Sequence, residues 1–394
     1  MNAFHQKREK VAFGKPGTTS HDQPRPPDQG RGMHHWQKAN PMRLDLSPYL
    51  SQKFLMPAET ERHSACWMAW PVRAALWGDR LAAAQTDFAT VARAIARFEP
   101  VHMVCREQDV AAVREQCGDA VTPFIAPIDD SWMRDSGPTF VRGSKGGLAV
   151  VNWAFNAWGR KYHPYAADAA LKRRMAEQLG LPLVTCPLTA EGGAILSDGE
   201  GTVITTESCL LHANRNLGLT RAQVEAELLA ALGAEKIVWL PGDAAEVETD
   251  GHVDCLAAVV RPGVVMMEDP ATASGARAET LAANRAALLA QRDARGRPFA
   301  IIDLPAAPTI DPRDARHQPS YVNFYIANGA VIMPGHGVPQ DDAARAAVAA
   351  AFPDRAVVQL VLPALPYGGG SIHCITQHQP APHFLPDGAQ PCAQ

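Results

Sequence analysis

Four short motifs in this chain carry side chains that could act together on one small cation. The run Gly368-Gly369-Gly370-Ser371-Ile372-His373-Cys374 ends in a thiol, and far upstream lie Trp132-Met133-Arg134-Asp135, Glu191-Gly192-Gly193 and Gly251-His252-Val253-Asp254. Together they supply a thiol (Cys374), an imidazole (His252), three carboxylates (Asp135, Glu191, Asp254) and an indole (Trp132). A thiolate is a nucleophile, an imidazole moves protons near neutral pH, and carboxylates with an aromatic face hold a flat delocalised cation. The set suits attack by sulfur on the central carbon of a guanidinium, a planar group that stays charged at all ordinary pH.

Taken singly, each motif has a structural explanation: a buried thiol, a surface turn with a capping His, a charged loop anchored by one Trp, a solvated turn. The combination points to chemistry. Glycines permit backbone approaches closed to other residues, so the Gly-rich run can present Cys374 at a pocket floor. His252 and Asp254 are two apart in a segment that continues as an apolar strand, where i and i+2 share a face. They are expected to line one wall, with His252 as acid/base. Asp250 extends that row on the other side, and Glu248 is counted with it as a substrate-binding candidate. His373 would point away from Cys374 in extended backbone. Trp132 and Asp135 stand in one loop, the indole to stack on the cation and the carboxylate to grip its N–H edge, while Arg134 is expected to pair with an acid.

Helical spacing marks five helices, near 79–98, 168–179, 221–232, 275–292 and 341–352. The third opens with the capping pair Thr220 and Gln223 and stops at Gly233. Strands are expected at 65–69, 101–105, 138–142, 148–154, 202–206, 236–240, 255–260, 263–267, 322–327, 330–334 and 357–361, with hairpin turns at Arg261-Pro262-Gly263 and Asn328-Gly329. The order hairpin, helix, strand recurs five times. This gives a single domain over 43–386, a disordered polar extension at 1–42 and a short tail at 387–394.

The 394 residues are 46% hydrophobic and 20% charged, with a net charge of -4, which asks for neither nucleic acid nor an anionic membrane. No apolar run approaches a membrane span, and no apolar segment follows the basic N-terminus as in a signal peptide. The eight cysteines are scattered without a C-x-x-C pair, as expected of reduced thiols in a cytoplasmic protein rather than disulfides or a zinc site. The acids lack metal-ligand spacing, so no metal or cofactor is expected.

With Asn152-Trp153-Ala154-Phe155-Asn156-Ala157-Trp158-Gly159, Ala213-Asn214-Arg215-Asn216 and Tyr321-Val322-Asn323-Phe324-Tyr325, the four motifs resemble the agmatine deiminase / bacterial peptidylarginine deiminase family, in the family's order, over roughly residues 55–380. The resemblance implies an α/β fold, the pentein five-bladed α/β propeller of ββαβ modules. It implies Cys374 as nucleophile, His252 as acid/base, and Asp135, Glu191 and Asp254 as guanidinium ligands beside Trp132. The implied reaction is hydrolytic deimination through a covalent thiouronium, with agmatine giving N-carbamoylputrescine and ammonia. The expected partners are a small guanidine and further copies of the chain in a dimer or tetramer. Deimination of another guanidine, amidinotransfer and a non-catalytic guanidine binder are the alternatives. Cys255, Ser371 and Leu196 replace the family's usual residues beside catalytic positions, and they are expected to shift preference in the substrate's tail.

Overall fold

Each long amphipathic segment folds as a helix that carries the chain from one strand to a second strand parallel to it. The structure, a computed structural model, describes residues 53–382 except 309–312, 315 and 318; the expected N-terminal extension, both domain ends and the C-terminal tail lie outside the described residues. Five separate sheets are present among the described residues. In one, Thr139–Gly143 pairs antiparallel with Leu148–Ala154, helix Ala166–Leu179 crosses over, and Leu183–Thr189 pairs parallel. The pattern repeats with Leu196–Ser197, Thr202–Thr206, helix Arg221–Leu232 and Lys236–Leu240. It repeats again with Ala257–Arg261, Val264–Glu268, helix Gly275–Leu289 and Ala300–Leu304. A fourth copy uses Tyr325–Ala327, Ala330–Gly335, helix Gln340–Ala351 and Ala356–Val361.

The fifth module is assembled from both ends of the described chain. Thr376–Pro380 pairs antiparallel with His63–Ala69, which runs parallel to Val101–Cys105 after helix Leu81–Ile95, and a further helix, Val110–Cys117, leads to Val121–Ile125. The late strand therefore closes the ring that the early strand opens. Five ββαβ modules so closed make the pentein α/β propeller.

Local chemistry accounts for the element limits. Thr220 and Gln223 form the capping box, and Gly233 ends that helix at a left-handed φ of 65°. Central parallel strands such as Ala330–Gly335 are buried along their whole length, as their apolar run requires. Six strands among the described residues are missing from the sequence expectation. Phe54–Leu55 and Leu196–Ser197 are only two residues long, and Val121–Ile125, Leu183–Thr189 and Ala300–Leu304 are partly exposed with a mixed pattern. Thr376–Pro380 is mostly buried but reads Thr-Gln-His-Gln-Pro, with no apolar run. Two expected strands start late. The one expected at 322–327 begins only at Tyr325. Residues 255–260 were expected to be extended, but Val253–Cys255 is a tight 3-10 turn and the strand begins at Ala257.

Candidate active site

The chemistry-bearing residues share one structural address. Asp135 lies shortly before the first strand of its module, as do Gly193, Asp254, Asn323 and Cys374 before theirs. Five equivalent approach segments therefore meet, and backbone and side-chain bonds stitch them together. Arg134 N–H donates to Cys374 O at 3.1 Å, and His373 N–H to Asn323 O at 3.1 Å. Gly193 N–H donates to Asp135 Oδ1 at 2.9 Å, and Asn323 Nδ2 to Asp254 O at 3.1 Å.

At their centre Cys374 Sγ stands 3.6 Å from Asp254 Oδ2 and 3.3 Å from Asn323 Oδ1. A Cβ added at Gly193 would sit 2.6 Å from His252 Nδ1, 2.9 Å from Asp135 Oδ1 and 3.1 Å from Asp254 Oδ2. That point is where the imidazole and two carboxylates converge, and only glycine leaves it clear. The three glycines before Cys374 divide the same task. A Cβ at Gly368 would meet Trp77 Cη2 at 2.3 Å, one at Gly370 would lie 2.6 Å from Trp132 Cζ3 and 3.1 Å from Cys374 Sγ, and Gly369 takes a φ of 91°.

A narrow pocket opens there, lined by Trp132, Asp135, Trp158, Tyr162, Glu248, Thr249, Gly368, Gly369 and Cys374. Trp132 stacks on Trp77 with centroids 6.0 Å apart, so its indole is held as a rigid wall. Trp158 Nε1 donates to Asp135 Oδ2 at 2.8 Å, and the Tyr162 hydroxyl donates to Glu248. Ala157, Trp158 and Arg160 all have positive φ (54°, 53° and 64°), a cost the backbone bears where it presents Trp158 to Asp135.

His252 is buried between acids, with Nδ1 3.9 Å from Asp135 Oδ1 and Nε2 3.5 Å from Glu191 Oε2. Burial alone would lower its pKa, but Asp135, Cys209 and Glu191 overcome that and hold it well above the usual imidazole range. Burial raises Asp135, with the charges of Asp254 and Glu191 adding to it against the opposing pull of His252. Burial would also raise Glu191 and Asp254, yet both are lowered, Glu191 chiefly by Arg215 and Asp254 chiefly by its bond to His373. Asp254 Oδ1 is buried and has no hydrogen-bond partner among the described residues, an acceptor ready for a cationic N–H.

The sequence-expected residues do not all serve alike. Cys374, His252, Asp254, Asp135 and Trp132 converge as expected. Glu191 is fully buried and turned to Arg215 at 2.7 Å and to His252, so it acts on the imidazole rather than lining the pocket. Glu248 lines the pocket, but Asp250 does not: its oxygens are taken by Lys161 and Arg215, each at 2.8 Å, and by Asn214 at 2.9 Å. His252 and Asp254 converge through a turn, not through strand alternation. Nor does His373 turn away from the site, because it stands in a turn: its Nδ1 is 2.8 Å from Asp254 Oδ2 and its Nε2 2.9 Å from Glu59 Oε2. Arg134 pairs with that same Glu59 at 2.9 Å.

The three departures beside the expected catalytic positions also miss the pocket lining. Leu196 is buried and lines a separate small cavity also lined by Asp254 and His373; Ser371 is buried, and Cys255 lies next to Cys374 without lining the pocket. Glu59, Trp158, Arg215 and Asn323 were not singled out for a role in the sequence. The last three sit in the motifs that carried the resemblance, whereas nothing local marks Glu59. Two groups bring potential metal-ligand atoms within 4.8 Å of one another: Glu191 with Cys209 and His252, and Asp254 with Cys255 and Cys374.

The family model of Porphyromonas-type peptidyl-arginine deiminases matches residues 55–380. An agmatine deiminase of Stutzerimonas stutzeri is 41% identical over 357 residues, covering 84% of this chain and 96% of the relative. One of Pseudomonas aeruginosa is 40% identical over 356 residues, with 84% and 96% covered. Among solved structures, the agmatine deiminase of Enterococcus faecalis, described as catalysing its reaction, superposes with a TM-score of 0.78 at 32% identity, covering 84% of this chain and 96% of that one.

Proposed function

This chain belongs to the family of Porphyromonas-type peptidyl-arginine deiminases, and from that premise we propose that it hydrolyses agmatine to N-carbamoylputrescine and ammonia. The observation that carries the substrate choice is the charge of the pocket lining. Two carboxylates, Asp135 and Glu248, face the pocket, and no Lys or Arg is among its lining residues. Asp135 stands beside the reacting centre to take the guanidinium. Glu248 offers a second anionic contact for a cationic tail, as agmatine's ammonium would be. An arginine α-carboxylate would face Glu248 with no Lys or Arg among the lining residues, and the nearby Lys161 and Arg316, outside that lining, already act on Glu248.

The chemistry follows from the convergence at Gly193. The guanidinium stacks on Trp132 and donates to Asp135 and Asp254. The Cys374 thiolate adds to the guanidinium carbon, and the tetrahedral adduct expels ammonia as the C–N bond breaks. His252, charged in the resting site, supplies the departing proton. The resulting S-alkylthiouronium takes up water, from which His252 now accepts a proton. The C–S bond then breaks, restoring the thiolate and releasing the ureido product. Glu191 and Arg215 hold the imidazole in place throughout.

The test is ammonia release from agmatine, arginine and butylguanidine, which lacks the tail charge. Agmatine should give the highest kcat/KM, with Glu248→Gln erasing its advantage over butylguanidine. Preference for arginine would overturn the substrate assignment, and no ammonia from any guanidine would overturn deimination.

A further inference from the structure

Cys374 does not stand alone: the Sγ atoms of Cys255 and Cys374 and a carboxylate oxygen of Asp254 all lie within 4.8 Å of one another. The Asn323 amide touches both sulfurs, donating to Cys255 Sγ at 3.6 Å and accepting from Cys374 Sγ at 3.3 Å. Cys255 is the last residue of the short turn Val253–Cys255 and is half-buried, where the other described cysteines are buried. We propose that Cys255 and Cys374 are a redox pair, closing to a disulfide under hydroperoxide and opening under a thiol reductant, so that the site is switched off reversibly instead of being destroyed.

The steps balance. The Cys374 thiolate attacks one peroxide oxygen, the O–O bond breaks, and the other oxygen leaves as water or alcohol after protonation. Cys374 is now a sulfenic acid. The Cys255 sulfur displaces its hydroxyl, an S–S bond forms, and the Cys255 proton and the hydroxide leave as water. Two thiols have lost two electrons and one hydroperoxide has gained them. A dithiol reverses the exchange through a mixed disulfide. Bond formation would bring the sulfurs, now within 4.8 Å of one another, to about 2.0 Å and displace the Asn323 amide that touches both.

Two features give the pair its direction and selectivity. Its hydrogen bond to Cys374, and then burial, push the Cys255 thiol well above the usual thiol range. Cys255 therefore keeps its proton while Cys374, which opens on the pocket, meets the oxidant. Elsewhere Cys66, Cys105, Cys117, Cys186 and Cys209 are buried, and burial raises each of their pKa values, to about 11 for Cys105, Cys117 and Cys186. Thiols of that kind are poor targets for peroxide.

The inference rests on the deiminase reading only for its effect on turnover. The covalent product is scored without any substrate. The full-length protein would be treated with hydrogen peroxide, then digested without reductant and mapped by mass spectrometry. The expected product is a single cross-linked pair of peptides containing Cys255 and Cys374, lighter by two hydrogens. Dithiothreitol should remove it and restore nearly all starting activity. In Cys255→Ser, with folding checked by circular dichroism, the same dose should carry Cys374 to sulfinic acid, beyond rescue by dithiothreitol. Wild-type protein with Cys374 sulfinic acid and no cross-link would overturn the proposal. So would a Cys255→Ser protein that recovers as fully as wild type. A cross-link in a protein that deiminates no guanidine would sink the deiminase reading and leave the redox pair standing.

Discussion

Trp158 reaches across the site to hold Asp135: its indole N–H donates to Asp135 Oδ2 at 2.8 Å, from a backbone at φ 53°. Asp135's other oxygen takes Gly193 N–H at 2.9 Å, so the carboxylate proposed to meet the substrate cation is clamped from both sides. A bond to a charged acceptor contributes about 1.5–3 kcal/mol.

Trp158→Phe keeps the ring and removes the donor. It should lower kcat/KM by roughly 10- to 100-fold, the equivalent of that bond energy. Because the lost bond helped hold Asp135 ionised, the acid limb of the pH–rate profile should also move to higher pH. Loss of activity with an unmoved acid limb would mean that Trp158 serves only packing.

Cys374→Ala should abolish turnover while the protein still folds and binds agmatine, measurable by calorimetry. In the wild type, rapid acid quench during turnover should trap a substrate adduct on Cys374. Residual wild-type rates in the variant would remove Cys374 from the role of nucleophile.

The pH dependence of kcat/KM should be displaced upward on both sides. His252 is raised well above 6.5, so the imidazolium needed as acid is lost only as pH climbs past that raised value. Asp135 is raised too, so its grip on the cation fails on acidification before an ordinary carboxylate would protonate. His252 likewise stabilises the fold fully below its unfolded value, and that contribution fades as pH rises through the folded one. An alkaline limb near 6.5 that His252→Asn leaves unchanged would contradict this assignment.

Gly193→Ala tests the open point at the centre of the site. The added methyl would press on His252 Nδ1 at 2.6 Å and on Asp135 and Asp254. Guanidine binding should be lost, while thermal stability falls by about 1–3 kcal/mol, the usual cost of overpacking. Retained agmatine affinity would show that the substrate sits elsewhere.

Lys172, fully buried behind the site, is depressed to about 8 because burial outweighs the pull of Glu191, Asp135 and Asp168. The unfolded chain binds this proton more tightly than the folded one. Its protonation therefore opposes folding below pH 8, and stability is regained as pH rises from about 8 towards the unfolded value. Lys172→Met should remove that rise, which corresponds to about 3 kcal/mol for a shift of this size. Denaturant unfolding at several alkaline pH values would measure it, and an unchanged slope would mean that Lys172 is solvated in the native state.

The five helices, their strands and the hairpin turns were legible because each is written in contiguous residues. Thr220 and Gln223 cap, Gly233 stops, and Leu81–Ile95 repeats its apolar face at helical spacing. Three outer strands, Val121–Ile125, Leu183–Thr189 and Ala300–Leu304, were not legible because their mixed sequences carry no apolar run, whereas the outer strands Lys236–Leu240 and Ala356–Val361 do carry one and were legible. Residues at 253–255 misled for a local reason: an apolar run after Asp254 looks extended, while the chain first makes a tight turn. Leu196 and Ser371 stood next to catalytic residues in the chain, but adjacency along a backbone does not decide which way a side chain faces. Both are buried away from the pocket.

The sequence by itself determined the reagents: a thiol behind three glycines, an imidazole, three carboxylates and an indole, in an order whose chemistry pointed to guanidines. Their division of labour depended on the ring closure between Thr376–Pro380 and His63–Ala69, which joins segments hundreds of residues apart. The folded chain also brings Glu59 to Arg134 and His373, Arg215 to Glu191, Trp158 to Asp135 and Cys255 to Cys374. Whether a carboxylate binds substrate, as Asp135 can, or is consumed by a neighbouring cation, as Asp250 is, depends on which charges lie within a few ångströms. Coulomb energy falls with distance in space, and chain separation does not enter it.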